Sequence, residues 1–252
     1  MSKLNPHDEA LFNAWAFGLA SLAKEALDSG ANPNAFDGHH DPLCLCAASG
    51  HSGLINLLLS RGANPKAKIG NVQFTALAVA CAAGNEACVD LLLPVSDARA
   101  VDALGIDSAM AAACQGYVSI LKKVCPLADP LSRDFKGNNA LTIAAIGGHA
   151  DAIETLVKHY DPNSVDEMGM SALMFAAANG DAETAFALLP HCDASLRDFL
   201  GNDARAVSVL TERPEVANLL DARESSMSIL ASLMEKSRES PKTSAKAKRP
   251  MQ

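Results

Sequence analysis

The sequence predicts an all-α solenoid, a stack of two-helix units repeated along the chain. Three observations predict it. A ten-residue phrase keeps returning, from a helix-capping residue through small apolar residues to Gly nine positions on, as in Asp41 to Gly50 and Thr75 to Gly84. From Gly84 the phrase repeats with Gly116, Gly148 and Gly180, each 32 residues after the last, and it occurs earlier with Gly18. Behind each Gly a second apolar stripe follows at helical spacing. A fixed period in this range marks stacked supersecondary units, none of which can bury its apolar face alone.

The first helix of each unit is set by its cap. Aligned on the phrase, the capping positions are Glu9, Asp41, Thr75, Asp107, Asn139, Ser171 and Asp203. All but Glu9 are side chains that accept a hydrogen bond from the free N–H groups of a first helical turn. Pro42 falls at the first helical position, where a missing N–H costs nothing. Five past the cap stand Ala14, Cys46, Ala80, Ala112, Ala144, Ala176 and Ser208, small enough for neighbouring helices to nearly touch. The glycines nine past the cap suit a helix end followed by a tight turn. The seventh unit has Glu212 there instead, which makes it an altered terminal unit.

The second helix carries apolar residues five, eight and nine positions after the Gly: Ile55, Leu58, Leu59; Val89, Leu92, Leu93; Leu121, Val124, Cys125; Ile153, Leu156, Val157. That spacing buries one face. Turns at Gly62-Ala63-Asn64-Pro65, or around Pro94, Pro126 and Pro190, close the units, and an Asp-x-x-Gly segment leads into the next cap, as in Asp102 to Gly105 and Asp134 to Gly137.

With Asp-x-x-Gly, the cap, Leu, Ala-Ala and Gly in register, the chain resembles the ankyrin repeat over roughly residues 9 to 220. The resemblance implies antiparallel helix pairs joined by short β-hairpin fingers along one edge. It divides the chain into units at 5–36 (an N-terminal cap with Phe12, Trp15 and Phe17), 37–68, 69–101, 102–133, 134–165, 166–197 and 198–220. One departure is consistent: the family's His position holds Phe12, Cys44, Ala78, Met110, Thr142, Met174 and Ala206, so the Thr–His link is absent. A longer stretch at 68–74 predicts one enlarged finger in the third unit.

Composition narrows the function classes. Net charge is −8, and the four cations Lys242, Lys246, Lys248 and Arg249 of the tail leave the remainder at −12, which argues against nucleic-acid binding by the body. Seven cysteines, an odd number mostly at apolar repeat positions, suit reduced buried thiols in a cytoplasmic setting. The N-terminus lacks a signal peptide's apolar stretch, and no run is long enough for a membrane span. Phosphate-loop, Gly-x-Ser-x-Gly and His-Glu-x-x-His motifs do not occur. Cys44 and Cys46 lie near His39, His40 and His51, but the spacing and the buried position of Cys46 disfavour zinc. No catalytic residue, metal or cofactor is therefore expected; an enzyme with a site assembled from scattered residues is the competing class.

The resemblance implies that a protein partner binds the concave face formed by finger tips and first helices. Of the twelve tip positions in the last four fingers, seven are Leu, Ile, Met or Phe: Leu104, Ile106, Phe135, Met168, Met170, Phe199 and Leu200, with Lys136 beside Phe135. Spaced about 10 Å apart like packed helices, they form an apolar stripe with the composition of an interface core. Past Pro214 the helical pattern continues to about Glu239 through Met227, Leu230, Leu233 and Met234. Residues 221–239 read either as an amphipathic helix covering the last unit or as one docking on a partner or a second copy. The polar tail 240–252 is expected to be disordered. It reads as a plain solvated terminus, as a nuclear-import patch, or as the export signal of a bacterial effector delivered into a host cell.

Overall fold

The computed structural model describes residues 6–36, 41–223 and 225–226. Helices alternate along the chain: α1 (Pro6–Ala16), α2 (Ala20–Asp28), α3 (Pro42–Ser49), α4 (Ser52–Ser60), α5 (Ala76–Ala82), α6 (Glu86–Leu92), α7 (Ser108–Ala113), α8 (Val118–Val124), α9 (Ala140–Gly147), α10 (Ala150–Leu156), α11 (Ala172–Asn179), α12 (Ala182–Leu188), α13 (Ala204–Leu210) and α14 (214–223). From α1 to α13 each odd-numbered helix packs on the next odd one. From α2 to α12 each even helix packs on the next even one. Two parallel layers result, an inner and an outer, with the core between them. His39, His40, Met227, Leu230, Leu233, Met234 and the tail lie outside the described residues.

The caps explain why the inner helices begin where they do. Asp41, Thr75, Asp107, Asn139, Ser171 and Asp203 each accept the backbone N–H three residues on, at 3.0 Å for Asp41 and 2.8 Å for Asp107. Glu9 does not cap anything: α1 starts a turn earlier, at Pro6, so Glu9 lies inside its first turn. Without the family's His, the position three after the cap is filled by buried side chains such as Met110 and Met174, whose backbone N–H groups bond to the cap, and at Ser171 the Met174 sulfur accepts the cap's own N–H at 3.5 Å.

Every residue five past the cap, from Ala14 to Ser208, is fully buried. On the outer helices the stripe is shifted one position from the expected one. Ile55, Leu58, Val89, Leu92, Leu121, Val124, Ile153 and Leu156 are buried; at the ninth position Cys125 is buried too, but Leu59, Leu93 and Val157 are only half-buried. The position four after the Gly, held by Leu54, Cys88, Ile120 and Ala152, completes the core instead. An outer helix faces both its own inner helix and the preceding unit, and that widens and turns its buried face. In unit 1, Trp15 is buried with Phe12 edge-on against it at 5.0 Å, while Phe17 projects into solvent.

The inner helices end in left-handed turns. At Gly84 φ is +74°, and a Cβ there would lie 2.6 Å from the Tyr117 ring of the next unit, so Gly meets both a conformational and a steric demand. The following residue stitches units together: Nδ2 of Asn85 donates to the Ala47 carbonyl at 2.7 Å, and Nε2 of His149 lies 2.9 Å from the Cys114 carbonyl. His149 thus ties the fifth unit to the fourth. Unit 7 keeps the same turn with the wrong residue, since Glu212 has φ +60°. An L-residue in that region costs roughly 1–2 kcal/mol, less the entropy a glycine would lose. Glu212→Gly is therefore expected to raise the melting temperature by about 2 °C, read by circular dichroism; an unchanged or lower value would show the turn to be unstrained.

Each finger is a hairpin reduced to one closing pair. Oδ1 of Asp102 accepts the N–H groups of Leu104 and Ile106, and the Asp102 N–H donates to the Ile106 carbonyl. Asp134, Asp166 and Asp198 repeat the arrangement. The next helix cap follows at once, leaving no length for a ladder. Among the described residues β-pairing is limited to the isolated bridges Ile69 to Phe74 and Val165 to Ser171. The first of these closes the enlarged finger.

Candidate protein-binding surface

Successive fingers are joined by a repeating backbone bond. The N–H of Ala103, Phe135, Glu167 and Phe199 donates to the carbonyl of Val72, Leu104, Lys136 and Met168 in the finger before. This series fixes the tips in register. Leu104, Phe135, Lys136, Met168, Phe199 and Leu200 all project from it, with Phe199 73% and Leu200 82% exposed. The Lys136 ammonium lies 5.5 Å from the centre of the Phe135 ring, a cation–π arrangement. The Phe199 ring leans over Gly169, where an added Cβ would meet its Cδ1 at 2.9 Å. Ile106 and Met170 behave differently. Both are half-buried against the core at the finger bases, because the residue before a cap points back under the finger.

Below the tips lies a groove of about 700 Å³ across units 3 to 5. Its floor is Val79, Ala82, Ala111 and Cys114 of α5, α7 and the turn beyond; Phe74, Leu104 and Ile106 form its wall. Phe74 comes from the enlarged finger, so the extra residues extend the wall. The only charged lining groups are Asp102 and Asp134, whose Oδ1 atoms already hold finger N–H groups. The resemblance implied the first helices as part of the binding face, but the residues singled out were all at the fingers; a signal for the floor was present. The inner helices α3, α5, α7, α9 and α11 contain no Asp, Glu, Lys, Arg or His, whereas α6, α8, α10 and α12 all carry charge.

The remaining titratable chemistry is quiet. Burial pushes the thiols of Cys46, Cys81 and Cys125 up to about 12 and that of Cys192 to about 11, so they stay protonated and poorly nucleophilic at neutral pH. Among the described residues no group of three or more His, Cys, Asp or Glu is placed to hold a metal ion. None of the described helices is long and apolar enough to cross a membrane.

The comparisons with known proteins agree with this architecture. Residues 11–103 and 109–199 match the family described as Ankyrin repeats (3 copies). The chain belongs to the ankyrin-repeat family. Among solved structures, the ankyrin repeat domain of Bcl-3, described as a unique member of the IkappaB protein family, superposes on this ankyrin array with a TM-score of 0.71. The match covers 84% of this chain and 97% of that one at 20% identity, so the likeness is one of fold. No curated protein sequence matches the chain significantly. Ankyrin repeats are generally protein–protein interaction modules, and the fold is typically a scaffold without catalytic activity.

Proposed function

We propose that this ankyrin array is a non-enzymatic module that binds a segment of a partner protein along its concave face. Finger tips Leu104, Phe135, Lys136, Met168, Phe199 and Leu200 form one edge, with Ile106 and Met170 supporting them from beneath. One observation carries the reading: a charge-free inner-helix floor runs directly into a groove and a row of exposed apolar tips. Exposed apolar area of this extent costs solubility unless a partner covers it. A floor of small side chains and an apolar wall of Phe74, Leu104 and Ile106 together suit large apolar anchors from the partner, the usual source of interface energy. The reduced thiols fit a reducing compartment such as the cytoplasm.

Cys114 supplies a test, because its side chain is exposed and lines the groove. Coupling a bulky maleimide to it is expected to weaken capture of the partner by about tenfold or more, the scale of one lost anchor. Cys114→Ser should bind like the unmodified chain and be indifferent to the reagent. Equal capture before and after labelling would place binding elsewhere.

A further inference from the structure

The concave floor is formed by the residues four and seven after each inner-helix cap. In units 3 and 4 these are small, Val79 with Ala82 and Ala111 with Cys114, whereas unit 5 has Ile143 and Ile146. The groove accordingly lies over units 3 and 4, with Ile143 bounding it in unit 5. Besides the finger carboxylates and the weakly bonding thiol of Cys114, Gln115 is its only polar lining side chain. An extended or polyproline segment laid there would bury backbone N–H and C=O groups that find no partner. Strand addition to the fingers meets no open ladder, since the N–H groups of Ala103, Phe135, Glu167 and Phe199 already donate to the finger before. An α-helix brings its backbone bonds with it. Its spacing fits as well: seven residues rise about 10.5 Å, against about 10 Å between units. Apolar side chains at i, i+7 and i+14 therefore fall on successive units.

Charge selects the flank of that helix. The tip positions carry one cation, Lys136, against Glu167 and the loop carboxylates of Asp102, Asp134, Asp166 and Asp198. Asp134 and Asp198 have both oxygens occupied, since Oδ2 accepts Nδ2 of Asn138 at 3.1 Å and of Asn202 at 3.2 Å. Ile106 and Met170 stand at the matching positions beside Asp102 and Asp166. The Oδ2 atoms of these two accept no hydrogen bond among the described residues, while Oδ1 holds the loop. Both carboxylates are half-buried, so a cation reaching them is partly shielded from solvent. They lie two units apart, about 20 Å, which is the rise of about 14 helical residues. We infer that, resting on the concave-face reading, the partner segment is a basic amphipathic α-helix. Apolar anchors seven residues apart fill the floor, with the largest over units 3 and 4. Lys or Arg side chains fourteen apart on the flank toward the fingers pair with Asp102 and Asp166.

Three synthetic peptides of about 22 residues, the length of a helix crossing four units, test this by fluorescence anisotropy against the full chain. The first carries Leu at heptad spacing and two flanking Lys fourteen apart. The second has Glu in place of those Lys, and the third holds the residues of the first in alternating apolar–polar order. The first is expected to bind about tenfold or more tighter than either of the others. Asp102→Asn together with Asp166→Asn leaves an oxygen for each loop and should erase the preference for Lys over Glu without loss of helical content. Should that variant unfold, narrowing of the preference with rising salt in the unaltered chain reads the same pairing. A bulky maleimide on Cys114 should abolish binding of the first peptide. Equal binding of all three, tighter binding of the second or third, or no binding of the first overturns the inference. If the third binds best and the label blocks it, the helix falls while the concave-face reading stands. A first peptide that ignores the label has docked elsewhere and also overturns the inference; the partner's own response to the label then judges the concave face.

Discussion

Ala144→Leu is expected to break the array in its middle. Ala144 is fully buried in α9, which packs between α7 and α11, and every unit has a small residue at this position because the inner helices approach closely there. Three added carbons have no room, and overpacking of this kind costs about 1–3 kcal/mol or more. In a stack where each unit contacts only its neighbours, the loss falls on two interfaces at once. The measured result should be a melting temperature lower by about 5 °C or more, together with a second, earlier transition in urea. Ala144→Gly serves as the reference, costing about 1 kcal/mol through helix propensity alone. A Leu variant no less stable than the Gly variant would show that the helices are not in close contact.

The second large effect concerns binding. Replacing Phe135, Met168 and Phe199 together by Ala is expected to reduce affinity for the partner by about a hundredfold or more, as when several central anchors are removed from an interface. Stability should hardly move, since these side chains are 61%, 60% and 73% exposed and contribute little to the core. Titrating the partner into both proteins, with helical content followed in parallel, separates the two quantities. Unfolding of the variant would show the tips to be structural. Retained affinity with an intact fold would exclude the stripe as the binding edge.

Most of the fold was legible because its determinants are local. Asp41 and Asp107 act on N–H groups three residues away, and Gly84 or Gly116 closes a turn within its own neighbourhood, so helix limits follow from short spacings. The exception is unit 1, where α1 begins at Pro6, a turn before Glu9. The enlarged finger was legible from its length alone, but its part in the groove wall was not. Phe74 meets Leu104 and Ile106 only after two units stack.

The candidate surface was legible in part for the same reason. Leu104 and Ile106 are neighbours of similar chemistry, two residues apart in one finger. One projects and the other turns beneath, because Asp102 fixes the loop and the cap at Asp107 draws Ile106 inward. Sequence by itself determined the repeat, the helix ends and the family, since these depend on contacts within a few residues. Tertiary structure alone decided which apolar side chains stay in water: Phe135 and Phe199 on the fingers, Val79 and Cys114 in the groove, Phe186 on the outer face. Exposure is a property of the neighbouring unit as much as of the residue, and only the assembled stack brings that neighbour into place.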